Sequence, residues 1–360
     1  MSRKKRSLPA RFLRGAGILL LIILLLAAGL IVFLSVTEYR PADRETLEIS
    51  GAAGKTLAAG DTITFMTWNI GYGALGDNAD FFMDGGTGVK TADADRVNAN
   101  LNGILSMAKL KPDVIFFQEI DRDSARSSRI NELERMRQEL EGYESSFACN
   151  FKVAFLPYPI PPIGKVDSGI ATFTAFPTVW AERIQLPVPF SWPVRMANLK
   201  RCALVSRLPV EGSDRELVLI NLHLEAYDSG EGKIAQTAAV AELLYTEAAR
   251  GNYVIAGGDF NQIFSSEDTS AYPAQPGKWT AGEIDVTHIP GDWQFLMDET
   301  VPSCRSLDRP YIGADRESFQ YYLIDGYIVS GNLRVEECRT RDLDFVCSDH
   351  NPVLLRVTLN

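Results

Sequence analysis

Histidine is scarce in this chain, with three among 360 residues. Imidazole chemistry is therefore confined to His223, His288 and His350. Cysteine is sparse too. Cys149, Cys202, Cys304, Cys338 and Cys347 make an odd number, and none forms a C-x-x-C pair. That spacing speaks against a zinc module or a disulfide framework. Buried free thiols are the simpler expectation, with Cys338 and Cys347 the candidate pair if the domain is exported. Low-complexity tracts and solenoid-period repeats are missing, which excludes fibrous and repeat architectures. Positive charge is short as well, 36 Lys and Arg against 46 Asp and Glu. Residues 1–40 carry net +6 and residues 41–360 net −16. An acidic domain repels a long polyanion, which argues against a processive or non-specific nuclease.

One long hydrophobic run is present. It begins at Gly15, ends with Val36 and contains no charge. About 20 such residues cross a bilayer. A signal peptide has a shorter apolar core, roughly 7–15 residues, and a small-x-small site that this run lacks. The run reads as an uncleaved transmembrane helix over residues 15–37, behind a basic tail over 1–14. Arg3, Lys4, Lys5, Arg6, Arg11 and Arg14 predict a cytoplasmic N-terminus, a single pass through the cell membrane and an extracellular domain. Residues 38–60, with Pro41, Gly51, Gly54 and Gly60, read as a linker to one domain over 61–360.

Apolar runs of strand length recur at 62–68, 114–117, 169–173, 203–205, 217–222, 253–256, 322–329 and 353–359. Helical periodicity lies between some of them, at 94–110, 128–140 and 234–249. Strands mixed with helices over about 300 residues predict a layered α/β domain. Pro-rich 156–163 and 186–194 read as surface loops.

Several strand-like runs end in chemically capable residues. They are Thr67-Trp68-Asn69, Gln118-Glu119, Asn221-Leu222-His223, Gly257-Gly258-Asp259-Phe260-Asn261, Ile324-Asp325 and Ser348-Asp349-His350. A lone Asn at a strand end usually caps a turn, and a Glu there usually meets water. A carboxylate at Asp325, inside an apolar run, is costly unless partnered. His288 has no such context and reads as incidental.

In this order the six motifs resemble the endonuclease/exonuclease/phosphatase superfamily, with its deoxyribonuclease I-like fold. The resemblance implies a four-layer sandwich of two mixed β-sheets flanked by helices, with a site at one edge. It also implies a metal-dependent phosphodiesterase or phosphatase that uses Mg2+, with Mn2+ compatible. In that scheme Glu119 is the principal metal ligand, Asn69 lies beside it, and Asp349 supports it or holds a second ion. Asp259 activates water, Asn261 and His223 contact the phosphate, and Asp325 orients His350. Two His with several Asp also suit a Zn2+ or Mn2+ two-metal centre.

The motifs give the reaction class and leave the substrate open. The anchor favours a phospholipid, sphingolipid or small phosphate ester. The run from His223 to Ser229 is similar to one in secreted bacterial sphingomyelinases, departing at Glu225 and Tyr227. Aromatics over 151–158 and 190–192 suit a membrane interface or a cover for the sheet ends. Arg195, Lys200 and Arg201 form a basic cluster, with Arg195 and Arg201 the candidate phosphate-binding pair. The alternatives are a surface-attached extracellular nuclease acting on DNA or RNA and a binding module without chemistry. The latter has no need of Glu119, Asp259 and His350 together. No protein partner is implied.

Overall fold

The strand-like runs are apolar almost continuously because they are buried on both faces. Strand β9 (Glu216–His223) shows how. Its Leu217 and Leu219 enter one core cluster, with Phe65, Phe116, Ile255 and Val357. Its Val218, Ile220 and Leu222 enter another, with Val240 and Leu244 of a helix. Side chains alternate across a strand, so one strand feeds two cores.

The computed structural model describes residues 8–360, so Arg3, Lys4, Lys5 and Arg6 of the expected basic tail lie outside the described residues. The first sheet runs, in spatial order, β1 (Arg44–Thr46), β7 (Trp180–Gln185), β8 (Cys202–Pro209), β9, β10 (Tyr253–Asp259), β16 (Asp325–Ser330) and β13 (Trp293–Leu296). The second runs β17 (Leu333–Thr340), β18 (Val353–Leu359), β3 (Thr62–Asn69), β4 (Val114–Asp121), β6 (Gly164–Thr174), β5 (Glu144–Leu156) and β2 (Ser50–Gly51). Two small ribbons join β11 (Gln262–Phe264) to β12 (Gly282–Ile284) and β14 (Cys304–Arg305) to β15 (Tyr321–Tyr322). The helices are α1 (Leu8–Val36), α2 (Ala94–Ala108), α3 (Glu132–Glu139) and α4 (Glu231–Ala249). The sheets pack face to face through Phe65, Phe116, Leu219, Ile255 and Tyr327. Helices α2 and α3 cover the outer face of the second sheet, and α4 that of the first. The two mixed sheets flanked by helices match the expected sandwich.

Each sheet contains one parallel pair, β3–β4 in one and β9–β10 in the other. Parallel neighbours need a crossover, and α2 and α4 supply it. Helix α2 starts where Asp93 accepts from the Arg96 N–H at 2.9 Å. The parallel pairs matter for function because all four strands end on the same edge of the molecule. In sheets of this kind ligands gather beyond the carboxyl ends of parallel strands.

Helix α1 carries a stretch, Phe12–Val36, that is long and apolar enough by length and composition to cross a membrane, with mean hydropathy 3.2. The segment 38–60 departs from the linker expected there. Its β1 pairs with β7 at the edge of one sheet, and its β2 pairs with β5 at the edge of the other. Leu57 is buried in the inter-sheet core. Gly60 sits in the turn that leads into β3, and Gly51 ends β2 itself. Helix α3 is also shorter than expected, because Ser128 and Arg129 take positive φ and Asn131 caps the start. All five cysteines are unpaired, Cys338 and Cys347 included.

The glycines before Asp259 have separate reasons. A Cβ on Gly257 would lie 2.5 Å from the Tyr327 ring of the adjacent strand. Gly258 has φ +146°, and a Cβ there would lie 1.9 Å from the Leu222 carbonyl oxygen. Only glycine lets β10 lie this close to its neighbours. Gly258→Ala should therefore destabilise the domain by roughly 1–3 kcal/mol, read as a lower thermal midpoint. An unchanged midpoint would contradict this placement of the β10 backbone.

Candidate active site

Strand register assembles the centre. Asp259 of β10 is level with His223 of β9 on one side and Asp325 of β16 on the other. Residues in register on adjacent strands present their side chains to the same face. The facing sheet brings Asn69 at the end of β3, in register with Gln118 of β4, and Glu119 follows. Glu119 has φ +53° at an irregularity where the β4–β6 pairing slips between Phe117 and Ile120. A bulge of this sort re-aims a side chain, and here Glu119 lines the cavity.

The distances are short. Asn69 Nδ2 donates to Asp259 Oδ2 at 3.0 Å and to Glu119 Oε1 at 3.3 Å. His223 Nε2 lies 3.3 Å from the same Asp259 oxygen and 4.0 Å from Glu119 Oε1. His350 Nδ1 meets Asp325 Oδ2 at 2.8 Å, while its Nε2 lies 3.9 Å from Asp259 and 4.0 Å from Asp349. The Asn261 N–H donates to Asp259 Oδ1 at 2.9 Å, and its side-chain amide donates to the Leu224 carbonyl at 3.0 Å. Asn221 stands apart from this group. Its amide ties the sheets together, donating to the Ala171 carbonyl at 2.9 Å and accepting from Gln118 at 2.8 Å.

Burial sets the proton affinities. Asp259 is pushed up to about 7 by burial and by the Asp325 charge, partly offset by His350, Asn69 and the Asn261 amide. Burial also pushes Asp349 up to about 6. For His350 burial opposes the charged form, but Asp325 and then Cys304 more than offset it, so the imidazole is held well above its ordinary value. His223 is held well below it by burial and by the cations Arg201, His350 and Arg126. At neutral pH one imidazole is charged and the other neutral.

The donor set fits a hard divalent cation. Glu119, Asp259 and Asp349 line one cavity with Asp325 behind His350, and among the described residues none of the four has a Lys or Arg ion pair. Such an excess of carboxylate calls for a cation with oxygen ligands. Cys304 lies with Asp349 and His350 in one group whose ligand atoms are within 4.8 Å of one another. Asp259, Asp325 and His350 form a second such group. Burial pushes the Cys304 thiol up to about 12, which disfavours a thiolate-bound zinc site there.

The cavity measures about 590 Å³. It reaches Asn69, Glu119, His223, Asp259, Asn261, Asp349 and His350 as well as Arg201. Arg201 is buried, with its Nε 3.8 Å from Glu225 Oε2. Arg195 does not reach the cavity. It pairs with Glu38 at 3.0 Å, just beyond α1, so the expected pair of arginines is split between two places. His288 is exposed and lies 3.6 Å from Asp285, away from the cavity. Glu225 is buried and accepts from the Ala226 and Tyr227 N–H groups.

Residues 66–350 match the model of the Endonuclease/Exonuclease/phosphatase family. The chain belongs to that family. Solved structures with the same fold include an endonuclease/exonuclease/phosphatase from Beutenbergia cavernae, 18% identical, with TM-score 0.55 over 83% of this chain and 72% of that one. Another, from Bacteroides vulgatus, is 15% identical, with TM-score 0.54 over 83% and 100%. The catalytic domain of human Nocturnin with a bound sulfate anion is 17% identical, with TM-score 0.50 over 87% and 98%. At these identities the likeness is one of fold. No curated protein sequence matches significantly.

Sequence reasoning missed part of this family member's cavity. Arg126 stacks 3.6 Å from the centre of the Tyr72 ring and bonds both Asp121 oxygens. Tyr227 donates to Asp84 at 3.0 Å across the rim. Arg126, Tyr72 and Asp84 sit in single 3-10 turns and Tyr227 on a loop, where no periodicity marks them; the polar cluster after Glu119 was the one available signal.

The coupling of Asp325 to His350 has a measurable consequence. In metal-free protein, Asp325→Asn should lower the His350 titration midpoint by at least about one pH unit, read by NMR of the imidazole. The sign follows from removing the charge that favours imidazolium. An unchanged midpoint would remove Asp325 from this role.

Proposed function

We propose that the chain hydrolyses phosphate esters by metal-assisted attack of water, on the outer side of a membrane crossed by α1 from a cytoplasmic N-terminus. The observation that carries the reading is the convergence in a single cavity of Glu119, Asp259 and Asp349, which have no Lys or Arg ion pair among the described residues, with His223 and His350. Glu119, with Asn69 and Asp349, would hold Mg2+ or Mn2+. When bound, the cation neutralises charge building on the phosphoryl oxygens.

The protein's own groups have distinct tasks. Asp259, with its proton affinity near neutrality, orients and deprotonates the attacking water. The Asn261 N–H and the Asn69 amide fix the direction in which its two oxygens face. His350 is the charged donor to the phosphate, and Asp325 sets its tautomer and angle. Neutral His223 donates one N–H toward the same centre. Asn261 and Arg201 complete the contacts to phosphate. Donors fixed before the reaction need no reorganisation as charge develops.

Family membership supports nucleic acid as a substrate, since the family is named for endonucleases and exonucleases alongside phosphatases. The acidic domain and the apolar half of the cavity support a lipid or small phosphodiester instead. The chemistry is common to both.

Bis(p-nitrophenyl) phosphate tests that common chemistry without choosing a substrate. Turnover should require Mg2+ or Mn2+ and vanish with EDTA. Asp259→Asn and His350→Ala should each cost about 10²–10⁴-fold in kcat. Near-normal turnover in either variant, or indifference to EDTA, would refute the assignment.

A further inference from the structure

The catalytic cavity and the apolar helix share a wall. Leu34 of α1 is buried in a cluster with Phe151, Ile163 and Met196, and Leu30 and Phe82 pack against it. Phe82, Phe151 and Ile163 also line the cavity that holds Asp259 and His350. One layer of side chains therefore has the helix on one side and the reaction centre on the other.

The junction is fastened by polar contacts as well. Glu38, directly after the helix, pairs with Arg195 at 3.0 Å and lies 3.6 Å from Lys200, with its own side chain only 1% exposed. Ser35 Oγ lies 2.9 Å from Met196 Sδ and accepts from Trp192 Nε1 at 3.4 Å. These contacts fix the helix end against β5 and the turn at Val194–Ala197. A helix held this way sets the orientation of the domain, where a free linker would leave it to swing.

The surface beside this junction is unusually apolar for a water-facing edge. Tyr158 is 67% exposed, Ile160 91%, Trp192 54% and Val194 57%. Tyr158 belongs to both regions, since it lines the cavity and packs edge-on against Phe82 at 5.7 Å. Leu30 to Val36 covers six helical steps, about 9 Å. The docked rim thus overlaps the last two turns of the apolar span. Segments that lie in a bilayer interface reach a depth of roughly 5–10 Å. Aromatic and aliphatic side chains at that level are at home in the headgroup region.

We propose that this rim sits in the outer leaflet and that the apolar half of the cavity takes the hydrocarbon chain of a membrane phosphodiester lipid, drawn sideways from the bilayer. The inference rests on the phosphoesterase reading of the centre and on α1 as a membrane span. The chain lies along Tyr158, Phe82 and Ile163, and the phosphate reaches Asp259 and His350. Water's oxygen bonds to phosphorus and one P–O ester bond breaks. Asp259 takes one water proton and passes it to solvent, and the departing alkoxide gains one from solvent. The products are a phosphate monoester and an alcohol.

Full-length protein reconstituted in vesicles of phosphatidylcholine, phosphatidylglycerol and sphingomyelin tests this. The wild type should release water-soluble headgroup product, and Ile160→Asp with Val194→Asp should reduce that release at least about tenfold, since acids are costly at this depth. Neither residue lines the cavity, so turnover of bis(p-nitrophenyl) phosphate by the same variant should stay within about twofold of wild type; this also reports that the variant is folded. Equal lipid turnover in variant and wild type would overturn the rim. Cleavage of the soluble diester or of plasmid DNA, with no lipid turnover by the wild type, would overturn the lipid substrate and leave the phosphoesterase reading standing. Loss of every activity in the wild type would overturn both.

Discussion

Four carboxylates share one edge of the molecule without a Lys or Arg ion pair among the described residues, and the rest of the site is arranged around that fact. Strand register forces the crowding. Asp259 cannot leave the side of Asp325 without breaking the β10–β16 ladder, nor the side of His223 without breaking β9–β10. Burial then raises Asp259 and Asp349, and the Asp325 charge holds His350 as imidazolium. A centre of this kind favours any species that brings positive charge and accepts oxygen ligands. On the proposed function, the same crowding suits a phosphate whose negative charge would be carried by the cation, the imidazolium and Arg201.

The two-sheet architecture makes the crowding affordable. One parallel pair in each sheet ends on the same edge, so Asn69 and Glu119 arrive from one layer and His223 and Asp259 from the other. Asn221 joins the layers through Gln118 and the Ala171 carbonyl. Its place in a strand-end motif is therefore explained by the scaffold, while the next residue but one, His223, faces the cavity. Gly257 and Gly258 complete the arrangement by letting β10 sit close to both neighbours.

Much of this was legible in sequence because strands announce themselves. The apolar runs marked β3, β4, β9, β10 and β16, and most of the polar residues at their ends, unlike Asn221 and Gln118, had no scaffold role to explain their recurrence. Residues whose position depends on loop geometry were not legible. Arg126 acts through its stack on Tyr72, and Tyr227 through a bond to Asp84 143 residues away. The segment 38–60 differs from its linker-like composition for a related reason. Its composition suits a linker, but the β1 and β2 edge pairings and the Leu57 side chain bind it to the domain, and pairing partners far along the chain leave no local trace. Arg195 and Arg201 are close in sequence, whereas the fold sends one to the helix junction and the other to the cavity.

The proposed chemistry requires that the carboxylates around Glu119, which have no Lys or Arg ion pair among the described residues, hold a divalent cation. Anomalous diffraction from crystals of the protein with Mn2+ measures this directly. The expected result is a peak bound by the Glu119 carboxylate, beside Asn69 and Asp349. A peak on Cys304 with His350 instead, or no peak in the cavity at saturating Mn2+, would contradict it.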